Sequence, residues 1–172
     1  MYKIVPDFII EKLIQKEEFG IENFFILFLD IKGFTGLTET FMKDDFKGSE
    51  MLSDTINFYF GKTIDIIYQN KGEVINFAGD AVTAFVKKED FKSVPVIVNS
   101  ILNFFKKGDK NLQKLKNQLS IKIGVSFGEV KWEIVGDEKK VYYFKGFPID
   151  NSSRMEKLCV ANESYFDSDA KL

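Results

Sequence analysis

Two aspartates occupy positions where a carboxylate needs a reason. Asp30 closes the apolar run Phe24-Phe25-Ile26-Leu27-Phe28-Leu29 and is followed by Ile31-Lys32-Gly33-Phe34-Thr35. Asp80 lies at the Ala78-Gly79-Asp80 corner between two short apolar runs. A charge among apolar neighbours is costly unless it is paired or held on a cation. Taken singly, each has a plainer explanation: Asp30 as a cap for the Gly33-Phe34-Thr35 turn, Asp80 as Gly-Asp turn chemistry. On neighbouring edges of one sheet, the two form an oxygen-donor set for divalent cations, most simply Mg²⁺ shared with substrate phosphates. Gly33, Phe34 and Thr35 add backbone N–H groups at a helix start, where phosphate is favoured. Lys32 either lends that phosphate a point charge or is a solvated lysine. The chemistry implied is phosphoryl transfer.

Composition removes several rivals. The 172 residues contain no histidine, which excludes histidine-ligated zinc, Ser-His-Asp triads and Cys-His dyads within the chain. The single cysteine, Cys159, cannot form an internal disulfide, which fits a reducing, cytoplasmic setting. A formal net charge of −2 advertises neither nucleic acid nor an anionic membrane surface, so an anionic ligand must be held locally. The longest apolar run, Phe24 to Leu29, is six residues and far too short to span a bilayer. Nineteen phenylalanines belong mainly to the core or to partner-facing surfaces.

The elements that must carry the aspartates follow from periodicity. Pro6-Asp7 starts a helix that ends by Gly20, and Phe24 to Ile31 reads as a buried strand. Thr35 or Thr38 caps a short helical turn through Phe41. A long amphipathic helix runs from Ser49 to about Asn70 and stops at Lys71-Gly72. Glu73 to Phe77 and Ala81 to Val86 form a hairpin around Asp80. A third helix falls within Phe91 to Asn117, its polar tail from Lys106 being a separate turn. Ile121 to Ile134 is a strand interrupted by glycines, Val141 to Lys145 another, and Ile149 to Leu158 a helix after Pro148. The last dozen residues begin one more strand. This order predicts an α+β fold, a ferredoxin-like βαββαβ sandwich with extra strands and a helix.

Four segments resemble the class III adenylyl and guanylyl cyclases. Phe28-Leu29-Asp30-Ile31-Lys32-Gly33-Phe34-Thr35 resembles their first metal motif, and Asn76-Phe77-Ala78-Gly79-Asp80-Ala81 the hairpin with the second metal aspartate. Ile121 to Val130 is similar to their strand ending in Gly-Glu-Val, and Gly146 to Glu156 to their last signature helix. The motifs run in the family's order from Phe24 onward. The resemblance implies a helical extension over 1–23 and a cyclase homology domain over 24–172 that lacks the family's final strands. It also implies an active site between two cyclase domains. One half supplies Asp30, Asp80 and the Ile31 carbonyl to two divalent ions, Mg²⁺ or Mn²⁺. Gly33, Phe34, Thr35 and Lys32 lie on the nucleoside triphosphate. The ribose 3′-OH attacks the α-phosphorus and pyrophosphate leaves.

The other half of the family's site is altered here. Asn76 stands at the base-selecting lysine position, Tyr143 at its partner's and Asp150 at the transition-state asparagine's; Arg154 keeps the arginine. The resemblance is therefore greatest to the first, metal-donating domain of tandem soluble adenylyl cyclases. The expected function is the metal-binding half of a cyclase that makes cyclic AMP beside a second domain, in cis or in trans. A homodimer of this chain alone is expected to be weak or inactive. The alternative is a catalytically inactive regulatory or dimerisation module that binds a small ligand.

Overall fold

The computed structural model describes residues 5–41, 45–107 and 119–171. Its elements in order are α1 (Asp7–Gln15), β1 (Phe19–Lys32), α2 (Phe34–Phe41), α3 (Asp45–Gln69), β2 (Gly72–Ala78) and β3 (Ala81–Lys87). They continue with α4 (Ser93–Lys107), β4 (Ser120–Val135), β5 (Val141–Lys145), α5 (Phe147–Leu158) and β6 (Glu163–Phe166). The strands form one mixed sheet in the order β2-β3-β1-β4-β5, with β6 pairing β4 in parallel. The α+β sandwich expected from the sequence is the fold found. The proposed turn from Lys106 to Asn117 lies mostly outside the described residues; Lys106 and Lys107 still belong to α4.

β1 sits at the centre because it is apolar on both faces. Phe25, Leu27, Leu29 and Ile31 face α2, α3 and α4 in the main core. Phe24 and Ile26 face the other way, with Phe8 and Ile9 of α1, Phe85, Val130 and Trp132. Each fully buried aliphatic or aromatic side chain contributes ~2 kcal/mol. Strand alternation puts Asp30 on the second face, at the far end of β1 from the aromatic cluster.

α5 covers that end. Its approach depends on Gly124, paired with Phe28 across the sheet. A Cβ on Gly124 would lie 1.9 Å from the Ser152 carbonyl oxygen and 2.3 Å from the Glu156 nitrogen. Asn151 on α5 donates at 2.8 Å to Asp167 just after β6, and the Asp167 carboxylate also accepts from Ser126 of β4. This buried network fixes helix, sheet and following chain to one another.

Three local expectations shift. β1 begins at Phe19, ahead of Phe24, since its first residues pair with Glu133 to Gly128 of the long strand β4. α3 begins at Asp45, so Ser49 lies inside the helix. The Thr38 hydroxyl donates to the Phe34 carbonyl one turn back, at 2.8 Å, and so does not cap α2.

Candidate active site

Asp30 and Asp80 lie where β1 ends beside the start of β3. Asp30 pairs in register with Ala81, and the Ile31 N–H donates to the Asp80 carbonyl at 3.1 Å. Gly79 supplies the positive φ of 65° that turns the hairpin at this point. Gly33, with φ 106°, turns the chain from β1 into α2. α2 therefore opens beside Asp30, its first-turn amides Phe34 and Thr35 without intrahelical acceptors. The Phe34 ring is buried against Phe60, stacked at 5.7 Å, which anchors this corner to α3.

Asp30 is 6% exposed, so its charge needs company. Oδ2 accepts from the Lys32 ammonium, which replaces the capping role open to Asp30 in the sequence. Oδ1 is buried and receives no nitrogen or hydroxyl donor among the described residues; the group that faces Asp30 is the Glu156 carboxyl, which in its protonated form donates to Asp30. A buried carboxylate oxygen in a polar corner, next to a second aspartate, suits a hard divalent cation. Among the described residues no three acidic side chains close a metal cage by themselves.

Two further residues belong to this corner, and the sequence reading missed both. Glu156 of α5 is 5% exposed and faces Asp30, and Lys122 of β4, paired in register with Asp30, reaches it at 3.8 Å. Burial first, and then the Asp30 charge, push the Glu156 carboxyl above its usual range. Lys32 is raised, chiefly by its bond to Asp30, with Glu156 and Asp80 adding to the effect. Ser152, Glu156 and Cys159 fall at helical spacing on one buried face, a signal visible in the sequence.

The remaining predicted residues lie apart from this corner. Asn76 is exposed on β2, at a register shift between Val74 and Asn76. Tyr143 on β5 is exposed, and its hydroxyl donates to Glu133 across the strand pair. Asp150 and Arg154 are exposed on α5, and no other described residue forms an ion pair with Arg154. An apolar cavity of about 470 Å³, lined by Phe25, Val94, Pro95 and Phe166, opens on the opposite face, away from the carboxylates.

The sequence profile of the adenylate and guanylate cyclase catalytic domain matches residues 16–165. The chain belongs to this family. Adenylate cyclase type 10 of Mus musculus is 25% identical over 167 residues, and the match covers 92% of this chain. The chain spans only 10% of that relative's length. Among solved structures, the adenylyl cyclase CyaB from P. aeruginosa superposes with a TM-score of 0.72 at 22% identity, over 89% of this chain and 80% of that one. A bacterial light-regulated adenylyl cyclase gives 0.72 at 26% identity, over 90% of this chain and 46% of that one. A guanylyl cyclase domain of a RhoGC fusion protein from Blastocladiella emersonii, described as a non-canonical dimer, gives 0.68 at 18% identity, over 88% of this chain and 83% of that one. No helix among the described residues of this cyclase domain is long and apolar enough to cross a membrane.

Proposed function

We propose that this cyclase domain is the metal-donating half of a nucleotide cyclase, converting ATP to cyclic AMP and pyrophosphate beside a complementary domain. The observation that carries the reading is the buried carboxylate of Asp30 at the end of β1, with Asp80 alongside across the β1–β3 pair. Asp30, Asp80 and the Ile31 carbonyl are the groups that hold two divalent ions, Mg²⁺ or Mn²⁺. When bound, such ions acidify the ribose 3′-OH and neutralise the triphosphate. The chain's own part is geometric. The Phe34 and Thr35 amides orient a phosphate at the α2 N-terminus, and Lys32 offers it a point charge. The buried setting of Asp30 keeps water from competing for its oxygens.

ATP is the preferred substrate on the likeness to adenylate cyclase type 10. The complementary domain supplies the base-selecting lysine and the transition-state asparagine and arginine, because Asn76, Tyr143 and Asp150 cannot. An acid at Asp150 repels the phosphate that an asparagine would hold. The test is reconstitution: the purified chain mixed with a domain carrying those three residues makes cyclic AMP when Mg²⁺ or Mn²⁺ is present. Asp30→Ala is expected to lower that rate by roughly a thousandfold, the scale of losing a main electrostatic group. Unchanged activity in Asp30→Ala sinks the proposal.

A second reading draws on the pairing of Lys32 with Asp30, which neutralises the metal aspartate from within the chain. On it the domain is a catalytically inactive regulatory or dimerisation module. It gains support if the chain binds neither metal nor an ATP analogue even beside the complementary domain.

A further inference from the structure

The Asp30 corner holds more charge than two metal aspartates require. Lys32 pairs with Asp30 Oδ2 and lies in the field of Glu156 and Asp80. Glu156 faces Asp30 from α5, and Lys122 stands 3.8 Å from Glu156. Three carboxyl groups thus confront two ammonium groups, and with all three ionised one negative charge is in excess. Exchange of the Lys32 ammonium for a single divalent ion brings the cluster to neutrality. Asp30 Oδ1, buried and reached by no ammonium, hydroxyl or amide donor among the described residues, marks where that ion would find a ligand once Glu156 is ionised.

The two charges differ in their freedom to move. The Lys32 side chain is 51% exposed, so it can swing into solvent without disturbing any packing. The Glu156 side chain is 6% exposed and sits on the face of α5 that Gly124 admits to the sheet. It cannot leave without moving the helix. Since no three acidic groups among the described residues converge into a cage, Glu156 acts on a bound ion through its field.

We propose that Lys32 is a tethered counter-ion which a divalent cation must displace from Asp30, and that Glu156 is the buried charge that sets how tightly the cation is then held. Both are positioning residues, and the proposal rests on the metal-donating reading of the same corner. Lys32 keeps the aspartate ordered in the absence of the metal. Once displaced, its ammonium is free to meet the phosphates arriving at the α2 N-terminus.

The two roles predict effects of opposite sign. Manganese binding to the full chain is titrated by the loss of the free Mn²⁺ electron paramagnetic resonance signal, at one pH and low salt. Lys32→Met removes the competitor and is expected to tighten binding about tenfold; Glu156→Gln removes an attracting charge and is expected to weaken it about tenfold. The double variant returns close to the parent. Asp30→Asn abolishes binding. Thermal melting accompanies each titration, and the half-exposed Lys32 variant keeps the test alive if Glu156→Gln fails to fold. Binding that needs Asp30 but is unmoved by Lys32→Met overturns this proposal alone. The same holds if a folded Glu156→Gln leaves it unmoved. Binding that ignores Asp30→Asn overturns the metal-donating reading and this proposal with it.

Discussion

The two halves of the family's site fare differently in this chain. At the Asp30 corner, the carboxyl groups of Asp30 and Glu156 are buried and paired with Lys32 and Lys122, and the corner is built from four elements: β1, the β2–β3 turn, β4 and α5. Around Asn76, Tyr143, Asp150 and Arg154, the side chains are exposed, and among the described residues no hydrogen bond or ion pair holds those of Asn76 and Arg154. Burying charge is expensive, so a chain that keeps doing it needs the arrangement. Exposed positions carry no such penalty and are free to drift. On the proposed reading, the difference separates the chemistry this chain would bring from the chemistry it would leave to another domain.

The largest effect should come from erasing that difference. Asp150→Asn, Asn76→Lys and Tyr143→Asp together would give one chain both halves, so that a homodimer holds complete sites. Cyclic AMP synthesis in Mn²⁺ is expected to rise by roughly a thousandfold over the parent, the upper value of a transition-state hydrogen-bond donor. Asp30→Ala in that background should remove the gain. A graft that stays silent while still binding Mn²⁺ would show that more than side-chain identity was lost on the exposed half.

The sequence carried the Asp30 corner because its parts are local. The apolar run before Asp30, the glycine after it and the Gly79-Asp80 turn are each legible within ten residues. Hidden parts depend on packing across the chain. The first residues of β1 are exposed at Phe19, Ile21 and Asn23, and they are a strand only because β4 continues past Gly128 to pair with them. Glu156 shows its helical phase in the sequence, but not what that face meets. Its meeting with Asp30 follows from Gly124 letting α5 down onto β4. Lys32 was open between phosphate ligand and solvated lysine, and in the structure it pairs with Asp30.

If Gly124 is what delivers Glu156 to the corner, adding a methyl group there should be costly. Gly124→Ala places a carbon against the α5 backbone, which cannot yield as a flexible side chain can. About 3 kcal/mol of lost stability is expected from denaturant unfolding, with weaker Mn²⁺ binding as α5 lifts. Gly36, in α2, is the matched control, since a Cβ there meets nothing within 4 Å. Gly36→Ala should stabilise by ~0.5–1 kcal/mol through helix propensity alone.

A fourth carboxylate tests whether partial burial of charge is tolerated away from that corner. Glu73 on β2 accepts the Phe8 N–H at 3.0 Å and so holds the start of α1. Burial pushes its carboxyl up, more than that bond lowers it. With the folded value above the unfolded one, its contribution is fully present below the unfolded pKa and is lost as pH rises through the folded pKa. Glu73→Gln keeps an acceptor for Phe8 and removes the charge. It should be more stable than the parent at pH 7 by no more than ~1 kcal/mol, because solvent still screens the group. Denaturant midpoints should converge toward pH 4; a gap that widens in acid contradicts this account.

The smallest expected effect separates the two assemblies open to the chain. Arg154 is exposed on α5, and no other described residue forms an ion pair with it. Arg154→Ala should change stability by less than ~0.5 kcal/mol, as surface substitutions do. In the reconstituted pair it should also leave activity within about threefold, because on the proposed reading the arginine that meets the transition state would come from the complementary domain. In the grafted homodimer the same substitution should be severe, since there Arg154 itself must meet the phosphate. Comparable losses in both assemblies would mean that Arg154 already serves the parent site. The exposed half would then have kept one working residue.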